Sequence, residues 1–165
     1  MPKKNTLPGW VWKRPYSILA CGFGTGAAPY APGTFGTLAA LPFYWLMHDL
    51  SLYWYLLGCV ILFVIGVWIC ERTSRDLGEH DHGGIVWDEI VGYLVTMTMA
   101  PTGWIWWVVG FLLFRLFDIT KPWPIRMLDQ RVHGGFGIMI DDVLAGIYAA
   151  ICLQLVILTG IFSFY

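Results

Sequence analysis

Acidic side chains crowded against apolar sequence are the groups in this chain best suited to chemistry. One stretch reads Glu79-His80-Asp81-His82-Gly83-Gly84-Ile85-Val86-Trp87-Asp88-Glu89. A second holds Arg115, Asp118, Lys121, Arg126 and Asp129 and ends at Asp141-Asp142. Oxygen ligands drawn from several helices suit a hard cation such as Mg2+, which prefers carboxylates, water and substrate phosphate. Asp88, Glu89, Asp118, Asp141 and Asp142 are expected to meet at helix ends near the membrane surface. Asp81, just before a Gly-Gly flex point, can join them. Arg115, Lys121 and Arg126 stand among these acids as candidates to hold phosphate, with Arg the better bidentate partner.

Each of these residues also has a plainer reading. Asp141 suits a helix N-cap with Asp142 in the first turn. Asp118 is spaced for an i,i+3 ion pair with Arg115. The basic residues suit nonspecific contact with anionic lipid headgroups. Asp76 and Glu79 read as solvated surface. His80 and His82 are candidate acid–base groups or ligands, or simply solvated side chains, and His133 lines its loop. Gly22–Gly26 and the stretch Ala31-Pro32-Gly33-Thr34-Phe35-Gly36-Thr37 precede a helix. Backbone N–H groups there, with the hydroxyls of Thr34 and Thr37, suit an anion; a plain loop accounts for the same residues. Lys121-Pro122-Trp123-Pro124 must break a helix, because proline lacks a donor and restricts the residue before it. That break is expected to turn Lys121 back toward the acids.

The elements that position these groups follow from composition. Of 165 residues, 58% are hydrophobic and 13% charged, and the mean hydropathy is +0.64. A soluble domain is nearer a quarter charged, so an ordinary soluble protein and a disordered chain are both excluded. The net charge of −1 offers no basic excess for nucleic acid. The 10 Trp and 8 Tyr suit membrane–water interfaces. Cys21, Cys59, Cys70 and Cys152 show no metal-site spacing and read as free thiols in apolar surroundings.

Uncharged runs map the membrane segments. Ser51–Cys70 is twenty uncharged residues, enough at ~1.5 Å per residue to cross the ~30 Å hydrocarbon core. Val143–Tyr165 is a second such run. Ile90–Phe114, broken by Pro101-Thr102-Gly103, reads as a helical hairpin whose arms extend from near Ile85 and past Phe114, which places Asp88, Glu89, Arg115 and Asp118 on membrane helices. Such ionisable groups are functional candidates by default. Phe35–Met47 is a shorter segment, either crossing or re-entrant. The apolar core of Ser17–Phe23 is short and glycine-broken, so it reads as mature sequence rather than a signal peptide. Residues 1–165 therefore read as one all-α domain, a polytopic membrane bundle of about five segments. With a cytoplasmic N-terminus, all 10 Lys and Arg fall inside, as the positive-inside rule asks, and the acids other than Asp49 lie at or near the same face.

The stretches Pro32–Leu38 (PGTFGTL), His80–Gly92 (HDHGGIVWDEIVG), Phe114–Asp129 (FRLFDITKPWPIRMLD) and His133–Gly146 (HGGFGIMIDDVLAG) carry a resemblance to the phosphatidylglycerophosphatase A family. The resemblance covers about Tyr16 to Ala150. It implies a multi-pass enzyme of the bacterial inner membrane, with membrane lipid around it and its active site on the cytoplasmic side. Such an enzyme removes the terminal phosphate of phosphatidylglycerophosphate to give phosphatidylglycerol, with Mg2+ as cofactor. The family pattern varies at the residue after Asp81, so Asp81 is the better candidate and His82 the weaker.

On this expectation the metal ligands come from Asp88, Glu89, Asp118, Asp141 and Asp142. Phosphate oxygens are held by Arg115, Lys121 and Arg126, with Thr34 and Thr37 in support. Asp81 or His82 relays a proton, Asp88 and Asp142 act at the reacting centre, and the nucleophile is left open between water and an aspartate. Neither C-x5-R, D-x-D-x-T, P-S-G-H nor D-G-x2-A-R is present, which sets aside other phosphatase and phosphotransferase chemistries. The alternative is a transporter or ion channel with an acidic cytoplasmic cation site. It is disfavoured because the acids crowd one face instead of marking a path through the membrane. Oligomeric state is not encoded in any of these features.

Overall fold

The computed structural model describes residues 6–160, and among these the chain is all-helical. Lys3, Lys4 and positions 161–165 of the expected C-terminal segment lie outside the described residues. Seven α-helices follow in order: α1 Pro15–Ala20, α2 Pro32–Met47, α3 Leu52–Leu77, α4 Trp87–Thr96, α5 Trp104–Thr120, α6 Ile125–Arg131 and α7 Gly134–Leu158. Short 3-10 turns, Gly9–Lys13 and Gly22–Ala27, flank α1.

Two of the expected segments, α3 with 26 residues and α7 with 25, are long and apolar enough to cross a bilayer. They measure ~39 and ~37 Å. The outer face of α3 exposes Trp54, Val60, Val64 and Trp68, a patch of a size that soluble monomers rarely leave bare. α2 and α5 are shorter, at 16 and 17 residues.

The first hairpin arm differs most from expectation. It runs from Trp87 only to Thr96, ten residues or ~15 Å, and breaks at Met97 well before Ala100. This half-length helix is the centre of the bundle. Ile90, Val91, Tyr93 and Leu94 have no exposed surface, and α2, α3, α5 and α7 all pack on it. Glycine allows the closest of these contacts: a Cβ on Gly146 of α7 would lie 2.4 Å from the Gly92 carbonyl oxygen of α4. Past the acids, α4 enters an aromatic layer. Tyr44 stacks edge-on against Tyr93 and Trp107, with ring centroids 6.4 and 5.9 Å apart. The Tyr93 hydroxyl donates to the Trp107 carbonyl at 3.0 Å, and that of Tyr55 to the Leu94 carbonyl at 2.6 Å.

α7 begins at Gly134, inside the stretch that the sequence leaves as loop. Gly134 takes a left-handed φ of 78°, and at Gly135 a Cβ would lie 1.9 Å from the Val67 carbonyl oxygen of α3. The first free N–H groups of the helix are met by side chains. Gly134 N–H donates to His80 Nε2 at 2.8 Å, and Gly135 N–H donates to the Glu71 carboxylate. Asp76 is exposed, as expected, and is also tied into the fold: Arg14 and the Tyr16 hydroxyl each donate to it at 2.5 Å, which pins α1 to α3.

Candidate active site

The site forms where the start of α4, the last turns of α5 and the second and third turns of α7 converge. Asp88 and Glu89 occupy the first turn of α4, where the helix dipole favours negative charge. Asp141 and Asp142 lie seven and eight residues into α7. The N-cap reading for Asp141 is thereby overturned, because His133 holds the N-cap position. The acids meet at a helix end on α4 but well inside α7.

Carboxylate oxygens of Asp88, Glu89 and Asp142 lie within 4.8 Å of one another. Asp88 is 7% exposed and Asp142 3%. Each presents one buried oxygen without a hydrogen-bond partner: Asp88 Oδ1, Glu89 Oε2 and Asp142 Oδ2. Buried carboxylates left unpaired are costly. Three such acids clustered together, each with an orphaned oxygen, fit a hard divalent cation, which takes oxygen ligands and gives that charge a partner.

Two cations border this group. Arg115 reaches Glu89 Oε1 at 4.0 Å and pairs with Asp118, one turn on; the i,i+3 pairing read from the sequence is present. Its Nε has no partner. Lys121, in left-handed conformation at the end of α5, donates to Asp141 Oδ2 at 2.6 Å and to Asp129 Oδ1 at 2.8 Å. Burial alone would lower the Lys121 ammonium, but the two carboxylates outweigh it and hold it above its ordinary value. The proline break does bring Lys121 back to the acids.

Between these groups lies a cleft of about 260 Å3. Its walls include Asp81, Asp88, Glu89, Arg115, Asp118, Lys121, Asp141 and Asp142, and the start of α2 closes one side through Pro32 and Gly33. A Cβ on Gly33 would lie 2.4 Å from Glu89 Oε1 and 2.8 Å from Arg115 Nη1. Only glycine lets α2 come this close to both groups.

Four expected residues are not among those lining the cleft. Thr37 is buried and its hydroxyl donates to the Gly33 carbonyl within its own helix at 2.8 Å. Thr34, one position past Gly33, leaves the approach to that glycine. Arg126 is exposed on α6. His82 turns back on its own loop, its Nδ1 accepting from Gly84 N–H at 3.0 Å, with Nε2 3.9 Å from Glu79. Asp81 stays open at the rim with φ 39°. Of the residues with no assigned part in the sequence, Asp129 shares Lys121, Gly33 shapes the wall and Glu71 holds the start of α7, as does His80, read from the sequence as an acid–base group, a ligand or a solvated side chain. Gly33 alone had a local signal, the glycine-rich approach to α2; the partners of Glu71 and His80 are more than fifty residues away.

Comparison with known proteins supplies a family match. The family model described as Phosphatidylglycerophosphatase A matches residues 18–157. A relative of that name from Escherichia coli is 50% identical over 137 residues, 82% of this chain and 80% of its own. Another from Haemophilus influenzae is 44% identical over 153 residues, 92% and 94% of the two chains. A third relative, from Bacteroides thetaiotaomicron, carries a phosphatidylinositol-3-phosphatase name and is 39% identical over 142 residues, 81% and 88% of the two chains. No solved structure matches the chain. Neither the family nor these relatives bear a transporter's name, and the transport reading finds no support.

Proposed function

The chain belongs to the phosphatidylglycerophosphatase A family, a family of phosphatases, and we propose that it hydrolyses the terminal phosphomonoester of phosphatidylglycerophosphate, with Mg2+, at the cytoplasmic side of a bacterial inner membrane. The observation that carries this reading is the pairing, in one cleft, of three orphaned carboxylate oxygens with two cations. A phosphate monoester needs both kinds of group: cations for its oxygens and acids for the metal that accompanies it.

Asp88, Glu89 and Asp142 would hold the ion, with Asp141 and Asp118 as carboxylates already shared with Lys121 and Arg115. When bound, Mg2+ supplies positive charge against the phosphate oxygens and activates water. The remaining work falls to the chain. Arg115, with its free Nε, and Lys121 grip phosphate oxygens and hold the phosphorus in line, since positioning and charge stabilisation carry most phosphoryl-transfer catalysis. Asp81, open at the mouth, passes a proton to the departing glycerol oxygen.

The same reading sets the depth of the site. Gln154 of α7 donates to the Thr98 and Met99 carbonyls at the hairpin turn, at 3.1 and 3.2 Å. Asp142 lies twelve residues earlier on α7, ~18 Å away along the axis. With that turn at the far interface of a ~30 Å core, the cleft floor lies roughly 12 Å beneath the near headgroups. Positive-inside orientation puts that near side in the cytoplasm. The segment count of about five then includes α2 and the short α4 as protein-buried or partial crossings.

Phosphate release by purified protein in mixed micelles tests the function. Release from phosphatidylglycerophosphate that stops with EDTA, returns with Mg2+ and is absent in Asp142→Asn supports it. Preferential release from phosphatidylinositol 3-phosphate would move the headgroup assignment toward the Bacteroides relative. No release from folded protein would overturn the reading.

A further inference from the structure

A cleft that takes a lipid phosphate must also receive the rest of the lipid. Ile119 lines the cleft and is 70% exposed, whereas Ile85, the other large apolar side chain there, is buried. Leu116, Leu112 and Val108 follow Ile119 back along α5 at steps of three and four residues, and all are exposed. Such steps put them on one face of the helix, a continuous apolar track of ~16 Å. Gly110 and Phe114, on the other side, are buried. α5 packs on α4 and α7, which leaves the track uncovered. α5 meets α2 at both ends, through Arg115 beside Gly33 and through the Tyr44–Trp107 contact, and the four track residues stay exposed between them.

Other apolar surfaces do not lead to the cleft. The exposed stripe of α3 ends at Trp68, beside Arg72 and Asp76. The apolar groove between α3 and α7, about 530 Å3, shares no lining residue with the cleft.

We propose that the α5 track seats an acyl chain of the substrate lipid, and that Ile119 is the residue by which the cleft selects a membrane-held diacyl phosphomonoester over a soluble one. This rests on the reading of the cleft as a lipid-phosphatase site. The acyl chain lies along Leu112, Leu116 and Ile119, and the phosphate drops between Arg115 and Lys121. A soluble phosphomonoester of the same headgroup reaches the cations without touching the track.

Two measurements test this on the full-length protein. The first compares dioleoyl phosphatidylglycerophosphate in vesicles with its dibutyryl counterpart in solution. Ile119→Ser is expected to raise KM for the dioleoyl lipid roughly five- to tenfold, as loss of a buried side-chain contact predicts. Its kcat and its dibutyryl kinetics should stay within about twofold, and Ile119→Leu should restore KM. Val60→Ser, on the exposed face of α3, should change neither. An equal effect on both substrates, or no effect on the dioleoyl lipid, overturns the track. Absence of turnover by the unaltered protein on both substrates overturns the phosphatase reading as well. The second measurement needs no turnover: Asp142→Asn protein in vesicles is photolabelled with a diazirine-acyl phosphatidylglycerophosphate. Label within 108–119 that is competed by unlabelled phosphatidylglycerophosphate, and not by phosphatidylcholine, supports the proposal. Competable label on 56–63 of α3 instead, or none, overturns it.

Discussion

The ammonium of Lys121 rests 2.6 Å from Asp141 Oδ2, while the other oxygen of the same carboxylate, Oδ1, has no partner. Asp141 therefore faces two ways, toward a cation of the chain and toward the cleft. Its neighbour Asp142 has no such cation among the described residues; it clusters with Asp88 and Glu89, and its Oδ2 has no hydrogen-bond partner.

Breaking the Lys121–Asp141 pair should cost stability as well as activity. Lys121→Met leaves a buried carboxylate uncompensated, at a cost of about 1–3 kcal/mol once partial exposure of the pair is allowed for. The double variant Lys121→Met/Asp141→Asn should recover much of that loss while remaining inactive. Thermal unfolding of the four proteins of the cycle in detergent checks this; strictly additive losses would mean the pair is not coupled.

Asp88, Glu89 and Asp142 should trade stability against function. Asn or Gln at any one of them removes a buried carboxylate that has an oxygen without a hydrogen-bond partner. Without divalent cation the variant is expected to melt no lower than the unaltered protein, and by up to about 1 kcal/mol higher. Activity should fall by at least a hundredfold, roughly the cost of losing a key electrostatic group, and Mn2+ affinity read by electron paramagnetic resonance should fall with it. A variant of Asp142 with full turnover removes that residue from the site.

Gly33 and Gly135 should fail in different ways. Ala at Gly33 meets the movable ends of Glu89 and Arg115, so it should fold and lose more than about tenfold in kcat/KM, in line with misplacement of catalytic groups. Ala at Gly135 meets the Val67 backbone of α3, which cannot yield. That change should destabilise by about 2 kcal/mol or more. Unfolding midpoints and rates measured together separate the two.

Thr37→Val and Arg126→Gln are expected to retain turnover within about threefold. The Thr37 hydroxyl is used inside α2, and Arg126 lies exposed outside the cleft wall. A loss above tenfold in either, with unfolding unchanged, would return that residue to the phosphate site.

Much of the site was legible in residue type and local spacing. Arg115 and Asp118 are one turn apart, and the Lys-Pro-Trp-Pro break forces the chain to reverse, so their partnerships follow from short-range rules. The acids were recognisable because each borders apolar sequence. What spacing did not reveal was depth. The apolar run Val143–Tyr165 hides the true start of α7, which depends on Glu71 and His80 reaching across from other elements. α4 also looks longer in sequence than it is, since Met97–Ala100 is as apolar as the helix before it. Past its break the chain turns through Met99 in left-handed conformation, and Gln154 of α7 donates to the Thr98 and Met99 carbonyls freed there. The Thr37 hydroxyl serves its own backbone, as a hydroxyl near a helix start can do as readily as it serves a ligand.

The aromatic layer of Tyr44, Tyr55, Tyr93 and Trp107 has a consequence for the cell rather than for the reaction. It stands between the acidic cleft and a dent at the opposite end lined by Tyr44, His48, Tyr55 and Met97. In a bilayer, a wet pocket sunk beneath the headgroups is a thin place in the insulation across which a bacterium stores its proton gradient. Here rings packed edge to edge fill that space, and the hydroxyls of Tyr55 and Tyr93 donate to backbone carbonyls. On the proposed reading of the cleft, this layer would be the seal that keeps a wet site on one side of the membrane from opening to the other.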